Sequence, residues 1–268
     1  MNRMWKGLSI AGLLLCASWT AEAQQIIGHR GSVWGVENTR AAFINAAKAG
    51  AVGLECDIRN SKDGLFVINH DSSLKRLGGS EELIWEQNAS RLLTTGLQQE
   101  RDGMCYVGQV MALGDYLDLC KELDQVPVIE IKECTTIRSD AKNPANDRFD
   151  GVPALMSLIA EKGLTGRVVI ISFMQSVMDH IWKNYPGVHL QFLTGEDWRP
   201  YAQWCIDRKM DLDIHYEKAD AELVKRFHEA GLKVNVWTVD DPVAFKKMQE
   251  IGVDYITTNK LFPQPLTK

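Results

Sequence analysis

Eight charged or titratable residues in the first half of the chain stand at spacings that could do chemistry together. His29 and Arg30 are adjacent, Glu55 and Asp57 are two apart, His70 precedes Asp71, and Glu130 and Lys132 are again two apart. Residues two apart on a β-strand project from the same face. Each spaced pair therefore aims both side chains at one cavity. Three carboxylates that converge repel one another unless a cation intervenes, and an all-oxygen set suits Ca²⁺ or Mg²⁺ better than zinc. The competing reading is a set of charge pairs, with Glu55 or Glu130 held by Lys132 or Arg30. His29 and His70 can take and give a proton near neutral pH. A guanidinium fork and an ammonium suit a phosphate. Together these groups describe a site that cleaves a phosphoester, although each signal alone is weak.

The elements that must carry these residues follow from periodicity. The pattern predicts a strand over 25–28, a helix over 37–49 closed by Gly50, a strand over 52–59 and a short strand over 64–69. Residues 72–110 hold no sustained period and read as an excursion over one face. A helix over 111–123 and a strand over 126–132 follow. Strands over 167–172, 189–193, 212–215, 233–238 and 253–257 then alternate with helices over 152–162, 176–185, 197–208, 219–230 and 241–251. About eight β/α units in a chain of this length match a TIM (β/α)₈ barrel, with an insertion after the second strand region. A doubly wound sheet is the alternative, but Gly28-His29-Arg30-Gly31 is not a dinucleotide fingerprint. A barrel carries its site at the carboxyl ends of its strands. His29, Arg30, Glu55, Asp57, Glu130, Lys132, Ser172, His215 and Trp237 all fall at such ends.

The first 23 residues read as a secretory signal peptide, with Arg3 and Lys6, an apolar run from Leu8 to Trp19, and Ala21-Glu22-Ala23 as the cleavage signal. Residues 24–268 form the single domain. Export to the periplasm or medium is the expected location. No later run is long and apolar enough to span a bilayer, so no stable membrane insertion is expected. A formal charge of −5 argues against a nucleic-acid partner. Five cysteines remain after the signal, an odd number with no zinc spacing. Cys56, between Glu55 and Asp57, points away from both and reads as a core thiol. A Cys105–Cys120 or Cys105–Cys134 bridge stays open.

The motifs Gly28-His29-Arg30-Gly31, Glu37-Asn38-Thr39, Leu54-Glu55-Cys56-Asp57-Ile58, Lys62-Asp63-Gly64 and His70-Asp71 occur in this order. Ile129-Glu130-Ile131-Lys132, Val236-Trp237-Thr238-Val239 and the run from Gly252 to Asn259 complete the set. The chain thereby resembles the glycerophosphodiester phosphodiesterase family along nearly its whole length past the signal.

That resemblance implies metal-dependent hydrolysis of glycerophosphodiesters to glycerol 3-phosphate and an alcohol. It implies Glu55, Asp57 and Glu130 as ligands of one divalent cation, Ca²⁺ or Mg²⁺. His29 and His70 become the acid–base pair, Arg30 and Lys132 the phosphate contacts, and Trp237 the lining of the glycerol pocket. Glu37 is expected to orient Arg30 or His29 and to cap its helix. Cys56 replaces an apolar residue of the family pattern, and 72–110 departs from the usual continuation after His70-Asp71. Two other readings stay open: a lysophospholipase D or sphingomyelinase D-like enzyme, and a non-catalytic phosphodiester-binding barrel. His180, His189 and His228, with Trp182, Trp198 and Trp204, read as structural.

Overall fold

Every residue of the strand Gly53–Asn60 but Arg59 is buried, although its sequence, GLECDIRN, alternates apolar and charged. Burial on both faces is the mark of a parallel strand between a lumen and a layer of helices. The computed structural model describes residues 24–261, so the expected signal peptide over 1–23 and the tail over 262–268 lie outside the described residues. In chain order the strands are β1 (Gln25–Gly28), β2 (Gly53–Asn60), β3 (Phe66–Ile68), β4 (Gly96–Arg101), β5 (Met104–Gln109) and β6 (Met111–Ala112). Then follow β7 (Val126–Ile131), β8 (Val169–Ser172), β9 (His189–Thr194), β10 (Asp211–His215), β11 (Val234–Trp237) and β12 (Tyr255–Thr258). β1, β2 and β7 to β12 pair in parallel, and β1 pairs with both β12 and β2, which closes an eight-stranded ring. The chain is a TIM barrel.

The crossing helices start and stop on local chemistry. Ala221–Glu229 begins where the Asp220 carboxylate accepts from Leu223 N at 2.7 Å, and it buries Leu223, Val224 and Phe227. Pro242–Ile251 begins at a proline behind the Asp241 cap and ends at Gly252, whose φ of 82° a side chain would resist. These faces join the outer strand faces in one large apolar core. Ile27, Val128, Val169, Ile171 and Leu193 fill the lumen as a second cluster. The barrel is thus plugged below, and polar side chains occupy its upper end.

The segment after His70 is more ordered than its sequence suggests. Short helices Lys75–Gly78 and Ala89–Leu92, the β4–β5 hairpin and β6 build a collar on the barrel edge. Leu74, Leu77, Ile84, Leu92, Leu97 and Val110 give it an apolar core of its own, shared with Val36 and Val67. Its hairpin strands, GLQQER and MCYVGQ, alternate in burial, but their inward positions include Gln99, Arg101 and Gly108, so no apolar alternation marks them in the sequence. Met111 and Ala112, expected in a helix, pair instead with β3. The helix expected over 37–49 spans Arg40–Lys48. All five described cysteines are free, and Cys56 is buried in the core as its strand position required.

Candidate active site

β1 ends at Gly28, and the chain turns through Arg30 and Gly31 in the left-handed region, at φ 50° and 88°. Gly31 is obligatory here, since a Cβ would stand 2.5 Å from the Ala42 carbonyl carbon. For Arg30 that backbone costs on the order of 1–3 kcal/mol and persists only where neighbours hold it. Arg30 N donates to Glu55 Oε2 at 2.8 Å and Nη1 to Glu37 Oε1 at 3.0 Å. Its Nε lies 3.2 Å from Asp57 Oδ2. Asn38 is also left-handed, at φ 60°, which turns its amide Nδ2 onto Asp57 Oδ2 at 2.8 Å.

Register brings the acids together: Asp57 on β2 lies opposite Glu130 on β7. Carboxylate oxygens of Glu55, Asp57 and Glu130 all lie within 4.8 Å of one another. Lys132 Nζ reaches Glu130 Oε1 at 2.6 Å and Asp57 Oδ1 at 3.2 Å. The charge pairs foreseen as the competing reading therefore exist, but they do not exhaust the site. Glu55 Oε1 is buried without a hydrogen-bond partner. Burial and the facing Asp57 and Glu130 push the Glu55 carboxyl well above its ordinary range, and burial with Asp57 pushes Glu130 up to about 7. Burial would raise Asp57 too, but Arg30 and Lys132 outweigh it and hold that carboxyl low. An orphaned buried carboxylate oxygen inside an all-oxygen set fits a hard divalent cation.

His29 Nδ1 is 2.9 Å from Asn259 Oδ1, and Asn259 Nδ2 donates to Asp240 Oδ2 at 2.6 Å. With the amide so placed, Nδ1 of His29 is the protonated nitrogen and Nε2 is left as an acceptor. Burial, with Arg30 beside it, lowers His29 to about 4. His70 Nδ1 meets Asp71 Oδ1 at 2.8 Å, and burial lowers its pKa as well. Arg59 fixes that loop by donating Nε and Nη2 to the His70 carbonyl at 3.0 and 2.8 Å. Both histidines, Arg30, Glu55, Glu130, Lys132 and Trp237 line one cavity of about 250 Å³.

Glu37 orients Arg30, as expected, but caps no helix, which starts only at Arg40. Its carboxylate is engaged elsewhere, accepting from Arg76 at 2.7 and 2.8 Å and from Gln99 at 3.1 Å. Arg76, a collar residue, also donates to Asp71 Oδ2 at 2.8 Å. Burial would raise Glu37, but Arg76 and Arg30 hold it at about 2 against an ordinary 4.5. The cluster therefore stabilises the fold fully above pH 4.5, and that contribution drains away as the pH falls towards 2. Its size is at most about 3 kcal/mol. Glu37→Gln should flatten the loss of urea-measured stability across that acid window. A variant curve parallel to the wild type would place the acid sensitivity elsewhere.

Sequence reasoning gave no role to Asn38, Arg76, Asp213, Asp240 or Asn259. Asn38 and Asn259 stood in recognised motifs; Arg76 lies five residues past Asp71, with no period to place it. His215 stacks on Tyr216 and meets the edge of Trp237 at 5.2 Å. His189 pairs with Asp211 at 2.7 Å and His228 with Asp254 at 2.9 Å, at the opposite end of the barrel. His180 stacks on Phe149, Trp198 is buried, and Trp182 and Trp204 flank Arg208.

A closed parallel barrel whose strand ends gather three carboxylates, two histidines, an arginine and a lysine around one cavity defines a TIM-barrel phosphodiesterase. The chain belongs to the glycerophosphoryl diester phosphodiesterase family, whose pattern matches residues 27–261. It is 28% identical over 242 residues to a glycerophosphodiester phosphodiesterase of Caldanaerobacter subterraneus subsp. tengcongensis, covering 87% of this chain and 93% of that one. Among solved structures, a Thermotoga maritima glycerophosphodiester phosphodiesterase superposes with a TM-score of 0.71 at 24% identity, over 90% of this chain and 96% of that one. An Oleispira antarctica phosphodiesterase in complex with the product sn-glycerol-3-phosphate superposes with a TM-score of 0.74 at 20% identity, over 88% and 92%.

Proposed function

We propose that this protein hydrolyses glycerophosphodiesters to glycerol 3-phosphate and an alcohol, with a divalent cation on Glu55, Asp57 and Glu130 and with His29 and His70 as the acid–base pair. The observation that carries this is the convergence of His29, His70, Glu55, Glu130, Arg30 and Lys132 on one cavity, with Asp57 buried within 4.8 Å of the two glutamates behind it. The product bound by the Oleispira relative supports glycerol 3-phosphate as the product here. When bound, a Ca²⁺ or Mg²⁺ ion supplies a Lewis acid for a phosphoryl oxygen. Arg30 and Lys132 add fixed positive charge where the transition state gathers negative charge. One histidine takes the proton of the nucleophile and the other protonates the departing alkoxide; water as nucleophile gives glycerol 3-phosphate directly, whereas the glycerol 2-hydroxyl gives a cyclic phosphate that water then opens. Asn259 with Asp240, and Asp71 with Arg76, fix the two rings. The substrate is a small molecule, and a formal charge of −5 argues against a nucleic-acid partner. Among the described residues no helix is long and apolar enough to cross a membrane. Export to the periplasm or medium rests on the leader pattern of the first 23 residues.

The test is release of glycerol 3-phosphate from glycerophosphocholine and glycerophosphoethanolamine, beside lysolipid vesicles. Turnover of the soluble diesters is expected. Turnover confined to vesicles would transfer the site to a lysophospholipase D, and none on either, in folded protein, would leave a binding barrel.

A further inference from the structure

One cation beside the site serves no carboxylate. Arg59, the half-buried residue of β2, makes no ion pair among the described residues. Its guanidinium is spent on two main-chain carbonyls. Nε and Nη2, the parallel donors of one edge, both reach the His70 carbonyl, at 3.0 and 2.8 Å. Nη1, on the other edge, donates to the Glu133 carbonyl.

The sheet shows why those two carbonyls matter. β2 lies between β7 and β3. Its ladder to β3 ends where Asn69 N donates to the Asp57 carbonyl at 3.0 Å. Its ladder to β7 ends where Lys132 N donates to the Ile58 carbonyl at 3.2 Å. His70 and Glu133 are the next residue on either side, just past the point where sheet register fixes the chain. Among the described residues no main-chain N–H reaches either carbonyl. One side chain, rising from the middle strand, therefore holds both exits. His70 and Lys132, the neighbour of Glu133, line the reacting cavity, and Arg59 does not. Asp71 and Arg76 act on the His70 ring through Nδ1, but they do not hold its main chain to β7. Only a planar fork with donors on two edges can span the gap; an ammonium is a single point.

We propose that Arg59 is a positioning residue for the reaction: by clamping the His70 and Glu133 carbonyls, it sets His70 against the phosphate-binding Lys132. This rests on the phosphodiesterase reading above and adds to it a residue that acts only through others.

Turnover of glycerophosphocholine, with Ca²⁺ or Mg²⁺ present, tests the clamp. Arg59→Lys keeps the charge but reaches one carbonyl at most. Its kcat should fall by about 10- to 100-fold, the cost of a displacement of about 1 Å. KM should hold, because Arg59 binds no substrate. The cation should still raise the melting temperature, because the three acids are untouched. In a His70→Ala background, Arg59→Lys should cost little more, since the group it positions is gone. A merely structural arginine would add its loss in full. Arg59→Gln, which keeps a donor and loses the fork, should behave alike and holds the test open if the lysine variant does not fold. Imidazole NMR reads the clamp without turnover. The His70 ring signal should shift or broaden in either variant, while those of His189 and His228, at the opposite end of the barrel, stay. Wild-type kcat in both variants, a loss that multiplies in full onto His70→Ala, or an unmoved His70 signal overturns the proposal even where wild type hydrolyses glycerophosphocholine. A His70 signal that moves with Arg59, in protein that hydrolyses no diester, would keep the clamp and remove the enzyme reading.

Discussion

Alanine at His29 or at His70 should lower kcat on glycerophosphocholine by between about 10² and 10⁴, the span that positioned proton transfer contributes. Neither change should unfold the protein. His29 makes one side-chain hydrogen bond, to Asn259, whose amide remains anchored on Asp240. His70 is partly exposed and bonds only Asp71 through its ring, and Asp71 keeps Arg76. The two variants should separate when the leaving group changes. A p-nitrophenyl phosphodiester expels a weakly basic phenolate that needs no proton. The variant lacking the general acid should regain turnover on it, and the variant lacking the base should not. Near-wild-type kcat in either variant on glycerophosphocholine would remove that histidine from the reaction.

Chelation should abolish turnover, and one of Ca²⁺ and Mg²⁺ should restore it. A second readout does not depend on catalysis. A ligand that binds only the folded state stabilises it, by about 2.7 kcal/mol at a hundredfold excess over Kd. The cation should therefore raise the melting temperature of the chelated wild type. Glu55→Gln should cancel that rise and the activity together. This residue is the informative one because its Oε1 is buried with no hydrogen bond, whereas Asp57 Oδ1, also without a hydrogen bond, faces Lys132, and Asp57→Asn would strip Arg30 and Lys132 of their shared partner. Full activity in EDTA, with no thermal response to either ion, would reduce the three acids to charge pairs.

The barrel was legible because most of its strands are short runs rich in apolar residues and most are followed by a helical stripe, a repeat that β2, with its alternating charges, breaks without hiding. The paired acids were legible because a spacing of two on a strand leaves no choice of face. The collar was not, because the inward positions of GLQQER and MCYVGQ include Gln99, Arg101 and Gly108, so burial alternates there while hydrophobicity does not. Asn38 escaped because its role depends on a left-handed backbone at φ 60°, which no hydrophobic pattern announces. Asp213 escaped for a different cause. Its strand position says only that it shares a face with Asp211 and His215. Closure of the ring brings it within the influence of Glu130 and leaves its Oδ1 without a hydrogen-bond partner.

The collar and the barrel have separate apolar cores, yet they meet at Glu37, where Arg30 arrives from the barrel and Arg76 and Gln99 arrive from the collar. Arg76 also steadies Asp71 behind His70. The reacting groups stand on the barrel, but part of what holds Arg30 and backs His70 reaches them from the collar. Loosening the outer body would turn the chemistry off while the inner one still stood. Activity is therefore expected to report the union of two packings, and to fall before the barrel itself unfolds.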